Sequence, residues 1–294
     1  MDSAQLLQFA VTGIVQGAIY ALVAAGFNLV YSATGIINFA QGEFVMLGGL
    51  LAVTGATLLH LPLVLAILLP VVVVMGLGAA MHWFTIRPLK HAHMVTLIMV
   101  TIGVSVAVRG GAKLIWGADP QPLPAFSGGE SLQFGGAMIE PQSLWVLGIA
   151  AGAGLLLAFF FRRTLVGRAM AACALNRRAA ELVGIRPDLM NMWAFALAGG
   201  IGALAGGVLA PLTFASFDIG VSLALKGFCA AVLGGIGSNS GAIVGGLLLG
   251  LVESMGAGYI SSGYKDAFAF AILLLVLFLR PSGLLNVLVR RDEE

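Results

Sequence analysis

Long apolar runs alternate with short polar or basic segments along the chain. A helix needs about 20 mainly apolar residues to cross the roughly 30 Å hydrocarbon core of a bilayer. By that measure about nine segments are candidate spans, of which the seventh and ninth are short. The pattern therefore predicts an all-α, polytopic transmembrane helical bundle of about eight to ten spans. The candidate spans cover residues 9–31, 35–59, 61–83, 94–116, 144–161, 192–215, 222–236, 242–259 and 266–279.

Basic residues are concentrated after the odd-numbered spans. Arg87 and Lys90 follow the third span, a group of arginines lies within residues 162–186 after the fifth, and Arg280 follows the ninth together with residues 290–291. Lys and Arg in short loops remain on the cytoplasmic side of the membrane. This distribution predicts that the N-terminus lies outside and the C-terminus in the cytoplasm.

The connecting segments carry no separate soluble domain. The two longest cover residues 117–143 on the predicted outer side and 162–191 on the inner side, and their length predicts that both are structured or functional. No internal repeat of domain size is evident. We therefore predict one membrane domain over residues 1–294, with a cytoplasmic segment at about 163–188.

The 41 glycines include pairs spaced four residues apart. Such a pair lies on one helix face and lets a neighbouring helix approach closely. The glycine-rich residues 234–241 also predict a helix break or tight turn. The spaced pairs are Gly13 and Gly17, Gly148 and Gly152, Gly202 and Gly206, Gly241 and Gly245, and Gly246 and Gly250. The glycines that we expect to matter most for helix packing are Gly202, Gly206, Gly234, Gly235, Gly237 and Gly245.

Composition excludes several classes of protein. The chain is 60% apolar and 10% charged, with a mean hydropathy of +1.03, whereas a soluble domain carries roughly 25% charged residues. The formal net charge is only +2, so no large basic field exists to bind nucleic acid. We therefore expect membrane lipid, and not nucleic acid or bulk water, to surround the protein.

No catalytic or metal-binding pattern is evident in the sequence. The four histidines are not paired with another His or Cys at a helical ligand spacing. The glycine-rich runs lack the Gly-Lys-Ser/Thr ending of a phosphate-binding loop and a complete dinucleotide fingerprint. We therefore predict no catalytic residue, no metal and no cofactor in this chain, and a membrane-embedded enzyme is disfavoured.

Two carboxylates lie within apolar spans, where a charged group costs about 2.5–3.5 kcal/mol at a helix centre. Glu43, with Asn28, Asn38 and Gln41, is interpreted in two ways. In the functional interpretation, these residues belong to a polar substrate path or to a network at a helix break. In the structural interpretation, they form a hydrogen-bond cluster between helices, or Glu43 is a carboxylate at the membrane interface. For Glu253, near the outer end of its span, the interhelical or interfacial interpretation is preferred.

The cytoplasmic segment predicts a short helix from about residue 168 to 184. Its alanines favour a helix, Gly184 is a stop signal and Pro187 prevents continuation. Such a basic element can lie on anionic lipid. Alternatively it is a rigid surface offered to a cytoplasmic partner, where Ala179, Ala180 and Gly184 would allow close docking.

Four segments together resemble a known family. Residues 179–184 resemble the Ala-Ala-x-x-x-Gly core of the coupling motif in permease subunits of bacterial ABC importers. Together with residues 35–43, 231–237, and 264–266 followed by 280–283, they make the chain similar to LivH-type permeases of branched-chain amino acid importers. Arg178 stands where the general coupling motif has Glu, and Gln41 where some members have His.

The resemblance implies an ATP-driven importer of branched-chain amino acids in the bacterial inner membrane. This subunit would pair with a second, LivM-like permease, and a periplasmic binding protein would deliver the substrate. Two cytoplasmic ATPase subunits would bind ATP and Mg, so this chain would not itself be an enzyme. The resemblance implies that the residues coupling the permease to the ATPases are Arg168, Ala172, Ala179, Ala180, Glu181 and Gly184.

Other functions remain open at this point. Relatives of this permease type also serve other amino acids, urea or short amides, and a path lined by small apolar residues and a few amides would pass these solutes as well. A stand-alone channel or a gradient-driven carrier is a further alternative. Against it, we find no paired Asp, Glu, His or Lys within the spans, as a proton or sodium relay would require.

Overall fold

The computed structural model of the protein describes residues 3–89, 92–128, 130–280 and 283–284. Within these residues the fold is helical, apart from one β-hairpin. The candidate motif at 280–283 is described only at its two ends, and Lys90 and residues 290–291 lie outside the described residues. The elements are α1 Ser3–Thr34, α2 Gln41–Thr57, α3 Leu63–Met81, α4 Met94–Trp116, β1 Leu132–Phe134, β2 Ala137–Ile139, α5 Pro141–Arg163, α6 Leu165–Leu175, α7 Arg177–Leu182, α8 Pro187–Thr213, α9 Ile219–Gly234, α10 Asn239–Tyr259 and α11 Lys265–Leu279.

The predicted polytopic helical fold is confirmed. Seven segments in the described part of the chain are long and apolar enough to cross a membrane, and one of them continues α3 to Leu89 through a π-helical turn, His82–Ile86. The shorter α2 and α9 have 17 and 16 residues. Together they account for the nine apolar segments seen in the sequence. The orientation of the termini stays a prediction.

The second span starts later than predicted, at Gln41 instead of residue 35. Gly35 leaves the helical conformation with φ +72°. The following residues are extended or turn-forming up to Ala40, whose N–H donates to Asn38 Oδ1 at 3.1 Å. Asn competes locally for backbone hydrogen bonds and so favours such a turn over a continuing helix.

Helices α1 and α8 form the centre of the bundle. Gly13 and Gly17 of α1 lie against the backbone of α10 at Gly250 and Leu247. Small residues on both sides allow this close approach, which increases van der Waals contact between helices in lipid. Helix α8 packs against α1, α2 and α3, and most of its residues are buried.

The glycine pair of α5 does not behave as predicted. A Cβ atom placed on Gly148 or Gly152 would have no other atom of the described chain within 4 Å. Val146 and Ala153, two turns apart, are buried and define the inward face of α5. Gly148 lies two residues from Val146, or about 200° around the helix, and therefore faces away from the bundle.

The long segment predicted to face the outside contains a β-hairpin, in line with the expectation from its length. Strands β1 and β2 pair antiparallel, with Phe134 opposite Ala137. The turn between them, Gly135-Gly136, has φ values of +58° and +87°, as a two-residue type I′ turn requires. The Gln8 side chain of α1 donates to the Met138 carbonyl at 3.1 Å and accepts from the Met138 N–H at 2.7 Å. This exchange fixes the hairpin to the start of α1.

The predicted helix at residues 168–184 is two helices, α6 and α7, and the single-helix prediction is wrong. Asn176 has extended φ and ψ of −152° and 101°, and its Oδ1 accepts from the Ala179 N–H at 3.0 Å. Asn is a favoured N-cap, so it starts a new helix here. The stop at Gly184 is observed: it has φ +86°, and Ile185 N–H donates to the Ala180 carbonyl at 3.0 Å, closing a Schellman motif.

Candidate transport site and coupling segment

The polar residues at the start of α2 and just before it lie inside the bundle. Asn38, Gln41 and Glu43 are 0%, 0% and 2% exposed. Gly26 of α1 lies directly against the Gln41 amide, and α1 continues for eight more residues to Thr34. At 1.5 Å per residue, the start of α2 therefore lies beside α1 at a point about 12 Å before the C-terminal end of α1. The helix break therefore places three polar side chains inside the bundle.

Two of these side chains bond to other helices. Glu43 Oε1 accepts from Ser105 Oγ of α4 at 2.8 Å. Gln41 Nε2 donates to the Ala198 carbonyl of α8 at 3.0 Å. The cluster therefore connects α2 to both α4 and α8.

Three polar atoms of the cluster have no hydrogen-bond partner among the described residues. They are Asn38 Nδ2, Gln41 Oε1 and Glu43 Oε2. A buried polar group left unpaired costs about 1–3 kcal/mol, so such groups call for a specific explanation such as a ligand or ordered water. One donor and two acceptors are thus available to a polar solute that reaches the cluster.

Asn28 lies apart from the other three candidates. Its Nδ2 donates to the Ser238 carbonyl at 2.7 Å, and its Oδ1 accepts from the Gly237 N–H at 3.0 Å. Both bonds reach the turn between α9 and α10, where the sequence predicts a break. Gly235 and Gly237 have φ of +103° and +92° in this turn. Asn28 therefore ties α1 to that turn.

Four of the six candidate packing glycines lie where helices approach closely, whereas a Cβ on Gly237 would meet only side-chain atoms, at 3.7 Å or more. A Cβ on Gly206 of α8 would collide with the Val45 carbonyl of α2, and one on Gly202 would lie 2.8 Å from Phe44 Cβ. These contacts directly follow the polar cluster along α2. Gly234 and Gly245 meet the backbone of the facing helix in the α9–α10 pair in the same way.

A charged network across α9, α10 and α11 was missed in the sequence. Lys226 Nζ lies 2.7 Å from Glu253 Oε1 and 2.8 Å from Asp266 Oδ1. Lys265 Nζ lies 3.4 Å from the same Glu253 oxygen. The statement that the spans lack paired ionisable residues is therefore wrong. A lysine within an apolar span is by itself a signal that an ionic partner is present. The sequence does not show which residue that partner is, because Glu253 lies 27 residues away on another helix.

The six candidate coupling residues differ in exposure. Ala180 is 3% exposed and packs with Cys173, Met190 and Ala194 in a small apolar cluster between α6, α7 and α8. It therefore faces α8 and not the protein surface. Ala172 is partly buried, and the residues that remain exposed are Arg168, Ala179, Glu181 and Gly184.

Residues 9–277 match the family described as the permease component of the branched-chain amino acid transport system. The chain belongs to this permease family. It is 33% identical, over 95% of both chains, to the high-affinity branched-chain amino acid permease LivH of Salmonella typhimurium. It has the same identity and coverage with LivH of Escherichia coli K12 and BraD of Pseudomonas aeruginosa. With its apolar helices, this permease is a multi-pass protein of the inner membrane.

Proposed function

We propose that the chain is the permease subunit of an ATP-driven importer that moves branched-chain amino acids into the cell. The observation that carries this proposal is the match to the permease family over residues 9–277. In the working importer, this subunit pairs with a LivM-like permease and receives substrate from a periplasmic binding protein. Two cytoplasmic ATPases bind ATP and Mg and drive the cycle.

The polar cluster at the start of α2 is the proposed point of passage. Gln41 Oε1 and Glu43 Oε2 are acceptors without partners in the described part of the chain, and a substrate ammonium group is a donor that suits them. Both atoms are fully buried, so a solute reaches them only when α2 moves relative to α8 or α4. That requirement is consistent with alternating access between two packings of the bundle.

Helix α8 connects the coupling segment to this cluster. It begins at Pro187, directly after α7, and its Ala198 carbonyl accepts the Gln41 amide eleven residues later, about 16 Å along the helix. Ala180 of α7 packs on the first turns of α8. A push on α7 by an ATPase would therefore be transmitted through this apolar cluster to the polar site.

Reconstitution tests the proposal. The chain, a LivM-like permease and two ATPases are placed in proteoliposomes with ATP enclosed and the binding protein outside. We expect ATP-dependent uptake of leucine, isoleucine and valine. Uptake of only urea or short amides would refute branched-chain amino acids as the substrate and assign the importer to those solutes instead. Solute movement by the chain alone, without ATP, would overturn the proposal in favour of a channel or carrier.

A matched pair of variants tests the polar cluster in the same vesicles. Glu43→Gln keeps the volume of the side chain but removes its charge, and we expect at least a tenfold loss of uptake with an intact complex. Glu130→Gln makes the same change on the exposed outer segment and should leave uptake unchanged. Equal uptake by both variants would remove Glu43 from the path.

A further inference from the structure

A cavity lies at the end of the bundle that carries the coupling segment. Its volume is about 230 Å³, and it is bounded by the end of α1, the turn after α3, the start of α4, α7 and the start of α8. Pockets for drug-sized ligands hold about 300–1,000 Å³, so this cavity suits a smaller solute. It is separate from the polar cluster, because none of Asn38, Gln41 and Glu43 lines it.

His82 is the most buried polar residue in the wall of this cavity. It is 2% exposed and opens the π-helical turn His82–Ile86, a rare conformation that is frequent at functional sites. Its Nδ1 has no hydrogen-bond partner among the described residues. The ring packs against Phe195 of α8, with centroids 5.6 Å apart. A buried imidazole nitrogen without a hydrogen-bond partner calls for a specific explanation.

Charged residues of both signs line the cavity. Arg177 and Asp188 lie 3.4 Å apart between Nη2 and Oδ1, and the Arg87 guanidinium lies over the Trp83 ring at 3.8 Å. The pair between Arg177 and Asp188 is exposed, and such pairs contribute about 0–1 kcal/mol. A ligand that separates them therefore replaces a weak interaction.

The lining also includes aliphatic side chains, among them Ile36, Ile86 and Leu97. A cavity lined by cationic, anionic and aliphatic side chains is complementary to a small zwitterion with an aliphatic side chain. We propose that this cavity binds the transported amino acid from the cytoplasmic side, with its carboxylate at the arginines and its ammonium at Asp188. This inference rests on the proposed function and adds a second site to it.

Binding here would regulate the transport cycle. Arg177 is the first residue of α7, and Asp188 lies in the first turn of α8. A zwitterion bridging these two residues and the wall at His82 holds α7 in place relative to α8. Because α7 lies in the proposed coupling segment, accumulated cytoplasmic product slows the cycle as feedback.

Direct binding is the first test. The purified complex, without ATP and without the binding protein, is equilibrated with radiolabelled L-leucine, and we expect one site for each copy of this chain. His82→Phe and Asp188→Asn should each weaken binding at least tenfold. Glu181→Gln is the matched control, because Glu181 also pairs with Arg177, at 3.7 Å, but does not line the cavity.

Two analogues test the zwitterion requirement. 4-Methylpentanoate lacks the ammonium group of leucine, and 3-methylbutylamine lacks its carboxylate. Neither analogue should therefore displace labelled leucine when it is added at a concentration at which unlabelled leucine saturates the site. Competition by either analogue as strong as by leucine would overturn the proposed recognition. No leucine binding to the complex, or unchanged binding in both cavity variants, would overturn the site.

Feedback is tested in the proteoliposomes described above, preloaded with unlabelled leucine beside the ATP. The initial rate of labelled leucine uptake should fall severalfold with luminal leucine, and His82→Phe should abolish this fall while keeping the rate without luminal leucine. That retained rate shows that the variant is folded. If wild-type uptake is insensitive to luminal leucine, the proposed feedback is refuted while the proposed importer function stands. If there is no uptake at all, the proposed function itself is refuted.

Discussion

Lys226 Nζ lies 2.7 Å from Glu253 Oε1, and the two side chains, on α9 and α10, are 9% and 0% exposed. Asp266 and Lys265 at the start of α11 complete the network. A buried ion pair adds little stability compared with an apolar pair, but losing one partner strands the other charge. The network therefore contributes more to the specific arrangement of the three helices than to the stability of the fold.

Lys226→Met should be strongly destabilising. It leaves the buried Glu253 carboxylate with only the more distant Lys265, and breaking a buried pair costs about 3–5 kcal/mol. The double variant Lys226→Met/Glu253→Gln removes both charges and should regain most of that loss. Thermal melting of the purified chain in detergent measures both. A single variant as stable as the double variant would show that Glu253 is not stranded.

Local features of the fold were predictable from the sequence. The stop at Gly184 and the break at residues 234–241 depend on backbone conformations that glycine adopts within a few residues. The span pattern likewise depends only on the length of each apolar run. These predictions need no knowledge of which helices are neighbours.

Pairings between distant helices were not predictable. Gly148 and Gly152 have the same spacing as Gly202 and Gly206, yet only the second pair meets another helix in the described chain. The spacing indicates a face that a neighbour can approach, not whether one does. Lys226 and Glu253 were separated in the same way, by 27 residues and a turn.

Adjacent glycines of α8 provide a matched test of packing. Gly206→Ala places a Cβ against the Val45 carbonyl, a backbone atom that cannot move aside cheaply, whereas Gly207→Ala meets Ile67 Cγ2 at an ordinary 3.5 Å. Gly206→Ala should lower the melting temperature by several degrees and reduce uptake. Gly207→Ala should be neutral or stabilising, since Ala favours a helix over Gly by about 1 kcal/mol.

The more severe double variant Gly202→Leu/Gly206→Leu should abolish transport. Both side chains would enter the α2–α8 interface beside the polar cluster. Uptake assays on membranes with equal amounts of permease check this expectation. Normal uptake by the double variant, or equal effects of the two single Ala variants, would show that this interface is not tightly packed.

Cys173 reports on the packing of α7. Burial raises the pKa of its thiol above the ordinary value, and the thiolate is the reactive form. In a Cys229→Ala background, maleimide labelling near pH 7.5 should therefore be slower than for an exposed cysteine and should increase as the pH rises.

Ala180→Leu should accelerate this labelling, because Ala180 packs in the same cluster as Cys173 and a larger side chain forces α7 away from α8. Ala179→Leu, at the exposed neighbouring position, is the control and should leave the rate unchanged. Mass spectrometry of timed samples gives both rates. Equal acceleration by both variants would mean that α7 is not held by the cluster.

Asn28→Leu should loosen the turn between α9 and α10. It leaves the Gly237 N–H and the Ser238 carbonyl without the side chain that pairs them, at about 1–3 kcal/mol for each group that stays buried and unpaired. Ser32→Ala is the control, because Ser32 donates to the Gly237 carbonyl of the same turn at an exposed 3.2 Å contact. Only Asn28→Leu should lower the melting temperature. Only this variant should also reduce the protection of residues 235–238 from hydrogen exchange. Lost uptake with unchanged stability and unchanged exchange would instead assign Asn28 to the substrate path, because only a solute contact would then remain to explain the defect.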